Sequence, residues 1–138
     1  KVANPSAEQR RYGLTSKNPS RGWHLEETRY DTDLPEGRNE DNRFGWIVEV
    51  DPFDPTSTPR KHTALGRFKH EGANVTIAAS GHAVSYSGDD ERFDYLYKFV
   101  SKGKYIEGDK KHNMTLLTEG DLFVASFAGN SPANQIDG

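Results

Sequence analysis

The sequence predicts an all-β chain built of antiparallel four-stranded units in series, preceded by a long irregular N-terminal segment. Three observations predict it. Short apolar runs rich in aromatic and β-branched residues recur from residue 44 onward. Turn formers separate them, at Asp51-Pro52, Ser80-Gly81 and Gly88-Asp89. Residues 1–43 sustain no period of either kind and carry Pro5, Pro19 and Pro35.

Within residues 1–43 one short helix is expected over 6–13, opened by Ser6 and closed by Gly13. The rest reads as loop, and loops of that length are usually functional or disordered. Residues 44–50, with Phe44, Trp46, Ile47, Val48 and Val50, read as a strand, broken by the run from Asp51 to Pro55. A returning strand is expected over 63–68. Strands over 73–79 and 83–86 turn about Ser80-Gly81; strands over 95–100 and 121–127 follow, separated by a polar excursion with a helical turn near 114–117. The last four strands form one meander, and the pair before them reads as the end of a preceding one. Four-stranded units in series are how a β-propeller reads, here about two blades. On pattern alone, a small sandwich or an open sheet competes with it. The expected organisation is an irregular segment over 1–43 and a blade region over 44–138. Trp23, Trp46, Phe99 and Phe123 are expected core residues.

Composition bounds the function. Of 138 residues only 33% are hydrophobic, and mean hydropathy is −0.89. An independent domain of this size buries roughly two-thirds of its unfolded surface, so the apolar strands are expected to need cover from elsewhere in a larger protein. The net charge of −3, with acids and bases interspersed, gives no basic stripe for nucleic acid. No apolar run is long enough to span a membrane. The absence of cysteine excludes thiolate ligands and a Cys nucleophile within this stretch.

Glu71 is the first candidate for chemistry. It stands where a strand begins, in Lys69-His70-Glu71-Gly72, and in a propeller the innermost strand starts at the rim of the central channel. A carboxylate there suits a hard cation, and Gly72 lets the backbone pass close by. On the residues alone, a surface Glu at a turn explains it as well. Asp89, Asp90 and Glu91 return to the same end through the hairpin. They read either as calcium ligands, as support for Glu71, or as a solvated turn bonded to its own backbone. Arg67, Lys69 and His70 surround Glu71 and are the candidate catalytic groups, since cationic side chains there can hold an anionic group. Strand alternation sends Arg67, Lys69 and Glu71 to one face and His70 to the other. His24, His62, His82 and His112 lack zinc-site spacing and read as packing or surface residues.

The run Asn42-Arg43-Phe44-Gly45-Trp46-Ile47-Val48-Glu49-Val50-Asp51-Pro52-Phe53-Asp54-Pro55 resembles a signature stretch of the bacterial PhoX alkaline phosphatase family. So do Thr63-Ala64-Leu65-Gly66-Arg67-Phe68-Lys69-His70-Glu71-Gly72-Ala73, Tyr86-Ser87-Gly88-Asp89-Asp90-Glu91-Arg92-Phe93, Tyr95-Leu96-Tyr97-Lys98-Phe99-Val100-Ser101 and Glu119-Gly120-Asp121-Leu122-Phe123-Val124-Ala125, in the family's order across residues 42–127. The resemblance implies a β-propeller that hydrolyses phosphate monoesters with a mixed Ca²⁺ and Fe³⁺ centre, exported to the periplasm or cell exterior. It strengthens Glu71 as a metal ligand, with Asp89, Asp90 and Glu91 as the further candidates that the hairpin brings to the same end. The family's metal-binding cysteine lies upstream of the matched region, and its further blades lie downstream. The chain is therefore expected to be a fragment, inactive alone, with the rest of the propeller missing. A non-catalytic propeller-type binding module, and a calcium-dependent propeller lactonase or phosphotriesterase, are the alternatives.

Overall fold

The computed structural model describes residues 2–17 and 20–127. Pro19 of the irregular segment and the end of the expected blade region, from residue 128, lie outside that range. The chain divides into two compact units, Lys1–Lys61 and His62–Gly138.

In the first unit, α1 (Ala7–Arg11) forms where the cap signals place it. Ser6 Oγ accepts from Gln9 N at 3.2 Å, and Gln9 Oε1 accepts from Ser6 N at 3.1 Å, so each side chain satisfies an amide the helix leaves open. A second short helix, α2 (Trp23–Glu26), and 3-10 turns at Thr28–Tyr30, Pro35–Gly37 and Glu40–Arg43 occupy the irregular stretch. Glu40 is buried, with Arg43 at 3.0 Å and Arg29 at 3.7 Å. Strands β1 (Ile47–Glu49) and β2 (Arg60–His62) form a two-stranded sheet. Both differ from the sequence expectation. The strand expected over 44–50 shortens at its start, because Gly45 turns to φ +83° and the Trp46 indole donates back to Asn42 O at 2.9 Å. The return strand comes earlier than 63–68. Thr63–Leu65 instead makes a 3-10 turn that drops Leu65 into the core.

The second unit is the expected meander. Strands β3 (His70–Ile77), β4 (His82–Asp89), β5 (Leu96–Lys104) and β6 (Gly120–Val124) lie in the order β3-β4-β5-β6, antiparallel throughout, the build of one propeller blade. In the polar excursion, α3 (Lys110–Asn113) begins before the predicted turn, because Asp109 accepts from His112 N at 2.9 Å and caps it. Leu116 follows into the core with Leu65, Phe68, Ala83, Val84 and Phe99. Phe99 is 1% exposed. A Cβ at Gly120 would fall inside contact of Val100 O and the Phe99 ring, so only glycine lets β6 close on β5 there. Of the other aromatics expected inside, Trp23 is 65% and Phe123 52% exposed. Phe123 pairs with Lys98 and projects from the face opposite Phe99.

Two β-bulges interrupt the ladder. Between β3 and β4, the pairs Glu71↔Gly88 and Asn74↔Tyr86 leave Gly72 and Ala73 opposite Ser87. Between β4 and β5, the pairs His82↔Lys104 and Val84↔Val100 leave residues 101–103 opposite Ala83. Bulges re-aim side chains and are common beside active sites.

Candidate functional site

The β3–β4 hairpin brings the expected charged groups to one end of the sheet. His70 pairs with Asp89 and Glu71 with Gly88. Asp90 N donates to Lys69 O at 2.9 Å, extending the pairing past the strand ends. Lys69 Nζ is ion-paired with Glu91, and that hydrogen bond, with the nearby Asp89 and Asp90 charges, raises the Lys69 pKa above its ordinary value. Asp89 Oδ1 accepts from Glu91 N at 3.0 Å, an Asx turn that shapes the acidic loop. The loop also carries Phe93 at φ +70°, an uncommon conformation for a bulky residue. Arg67 lies half-buried just before β3.

Glu71, like Asp90 across the hairpin, differs from Lys69, His70, Asp89 and Glu91. Its carboxylate is exposed and, among the described residues, makes no hydrogen bond or ion pair. Gly88, directly opposite, has no side chain to cover it. The bulge sits immediately after it. Gly72 adopts φ +73°, with nothing within 4 Å of where a Cβ would stand, so glycine is needed there for backbone conformation and not for room.

The neighbouring His70 is held from several directions. Its ring stacks on Phe68 at 3.6 Å, and Phe68 stacks on Tyr97 at 4.3 Å. Nε2 lies 3.1 Å from Gly66 O, so it carries a proton and donates. Nδ1 lies 2.9 Å from Ser87 Oγ. Ser87 Oγ also donates to Gly72 O at 2.7 Å. The single Ser87 hydroxyl proton is thus within reach of two acceptors when His70 is neutral. When His70 is protonated, the order Nδ1–H to Ser87 Oγ–H to Gly72 O satisfies all three groups. Burial opposes that state and is the larger cause, holding the His70 pKa below its ordinary value against the Gly66 hydrogen bond and the Asp89 charge.

Alternation expects Arg67, Lys69 and Glu71 on one face and His70 on the other; Glu71 is exposed, while Arg67, Lys69 and His70 are all half-buried. Sequence reasoning missed Ser87. Its signal was present, as a small polar residue at an inward position of a strand, two after the buried Ser85 and opposite the glycine of the bulge. Among the described residues no three His, Asp or Glu side chains gather in a metal-holding arrangement. A cavity of about 240 Å³ in the first unit, lined by Leu14, Tyr30, Glu40 and Phe44 among others, contains none of the candidate residues. No helix among the described residues is long and apolar enough to cross a membrane.

Comparison with known proteins bears on this geometry. The family model described as alkaline phosphatase PhoX matches residues 1–137. The chain is similar to the solved structure of Pseudomonas fluorescens PhoX in complex with vanadate, a transition state analogue, with 45% identity and a TM-score of 0.76. That match covers 88% of this chain and 20% of the solved one, so the chain spans about one-fifth of the structure it resembles. No curated protein sequence matches the chain.

Proposed function

The chain belongs to the PhoX alkaline phosphatase family, and from that premise we propose that it is part of an exported, metal-dependent enzyme that hydrolyses phosphate monoesters. The observation that carries this reading is the 45% identity to a protein solved with a transition state analogue, combined with an uncommitted carboxylate at the tip of β3. It favours a phosphatase over a binding module or a lactonase.

Ca²⁺ and Fe³⁺ are the proposed metals. The donor set tests the fit. Glu71 offers a hard anionic oxygen with no competing partner among the described residues, as such cations require. Glu91 is occupied by Lys69 and Asp89 by the loop backbone. The exposed Asp90 carboxylate is likewise uncommitted among the described residues, so Glu71 and Asp90 fit as ligands of a larger shell, with Asp89 and Glu91 shaping the loop as their support. The rest of the shell lies outside this set. When bound, the metal offsets charge on the phosphoryl oxygens. Arg67 is the cation we assign to orienting the phosphate, since its fork suits bidentate contact. Lys69 fixes the acidic loop through Glu91. His70, with both ring nitrogens engaged, holds the start of β3 in place.

The test is Glu71→Gln in the full-length protein, with Glu107→Gln in the exposed excursion as control. Glu71→Gln is expected to lose most phosphomonoester turnover and bound metal while keeping its thermal midpoint, since a surface change alters stability by no more than about 0.5 kcal/mol. Full activity and metal content in both variants would remove Glu71 from the site.

A further inference from the structure

We propose that Ser87 is a positioning residue that fixes the bulge at Gly72 and thereby aims the Glu71 carboxylate, an inference that rests on the reading of Glu71 as a metal ligand. A bulge leaves the ladder locally unpaired, and the carbonyl of Gly72 is bonded by the Ser87 side chain at 2.7 Å. Ser87 is 6% exposed while Gly72 is exposed, so a buried hydroxyl on one strand holds the carbonyl of the exposed bulge. The same hydroxyl touches His70 Nδ1 at 2.9 Å. The residues on both sides of Glu71 are therefore tied to one oxygen on the neighbouring strand. His70 is fixed further by Gly66 O and by the Phe68 ring. Glu71 itself touches none of them and keeps its carboxylate for a ligand. A carboxylate on a rigid stem loses less freedom on binding a cation, which is how groups behind a metal ligand act on affinity.

The sheet supplies a matched control. Ser101 is equally buried, lies in the other bulge, and donates to Gly103 O at 2.7 Å, with no candidate ligand beside it. The experiment uses the full-length protein carrying Ser87→Ala, Ser87→Thr, Gly72→Ala or Ser101→Ala. Calcium and iron retained per chain are measured by plasma emission after dialysis against increasing chelator, alongside thermal midpoint and steady-state kinetics. Ser87→Ala is expected to release metal at roughly tenfold lower chelator and to lose kcat with KM nearly unchanged. Ser87→Thr, which keeps the hydroxyl, should recover most of both. Gly72→Ala, strained at positive φ, should reproduce the metal loss and decides the matter if Ser87→Ala fails to fold. Ser101→Ala should lower the thermal midpoint and leave metal retention at the parent value. Parent-like retention in Ser87→Ala, or equal losses in Ser87→Ala and Ser101→Ala, would overturn the proposal. If Glu71→Gln itself keeps its metal, the reading of Glu71 fails first. If Glu71→Gln loses metal and Ser87→Ala does not, only the positioning role fails.

Discussion

The two ends of the four-stranded sheet join the same parts, a histidine, a serine and a glycine at a bulge, in different hydrogen-bond arrangements. At one end, His70, Ser87 and Gly72 meet at a bulge. At the other, His82 Nδ1 lies 2.8 Å from Ser101 O, and Ser101 Oγ links Ala83 N at 2.8 Å to Gly103 O at 2.7 Å. The second set closes its accounts completely. The Ser101 hydroxyl receives one proton and gives one, and Ser101 is buried and paired with Gly120. The first set leaves one proton between two acceptors and stands beside Lys69, Asp89, Asp90, Glu91 and an uncommitted Glu71. A fully satisfied, close-packed bulge serves stability. The open bulge instead stands beside an exposed carboxylate, the feature on which the proposed metal reading rests.

The sharpest way to break this contrast is to overpack the closed end. Gly120→Ala places a methyl against Val100 O and the Phe99 ring. Neither the backbone nor a ring that is 1% exposed can withdraw cheaply. A loss of about 3 kcal/mol or more is expected, read as a lower thermal midpoint and faster proteolysis of the full-length protein. Gly72→Ala, at the open end, meets nothing within 4 Å and carries only the left-handed penalty, roughly 1–2 kcal/mol. Its larger effect is expected on metal retention. Equal stability losses in the two variants would mean that the ends are not energetically distinct.

How much of this was legible in the sequence follows the physics of each signal. The meander was legible because alternation and Ser80-Gly81 are local signals, and the hairpin register from Ile77–Ala83 to Asn74–Tyr86 follows from them, whereas the pairing of Glu71 with Gly88 is set by the bulge. The first strand pair was less so. Trp46 and Leu65 carry strand-like side chains, and only the positive φ of Gly45 and the turn at Thr63–Leu65 redirect them. Glu71 stood out by its place at the strand start. Ser87 carried only the weak signal of a small polar residue at an inward position, because its contacts with Gly72 O and His70 depend on where the opposite strand bulges. The exposed Phe123 was read as core because strand aromatics usually are. Its face is open here, and the chain spans only about one-fifth of the structure it resembles.

The smallest expected effect is a titration, and it sharpens the contrast at its most delicate point. Burial lowers the His70 pKa below the ordinary value of 6.5, while the Gly66 carbonyl and the Asp89 charge pull it back up. Lys69 and Glu91 lie on the adjoining loop but are paired with each other. A histidine whose folded pKa is depressed favours its neutral form in the native state. Above 6.5 the group is neutral in both states and has no effect. As pH falls below 6.5 the unfolded chain takes up the proton first, so stability declines until pH passes the folded value and then levels off. Following the His70 ring carbon signal in histidine-labelled full-length protein should give a midpoint below 6.5. A midpoint above 6.5 would mean that the Ser87 and Gly66 bonds, with Asp89, outweigh burial. The hydroxyl proton of Ser87 would then be committed to Gly72 O over a wider pH range, and the open end of the sheet would be as fully satisfied as the closed one.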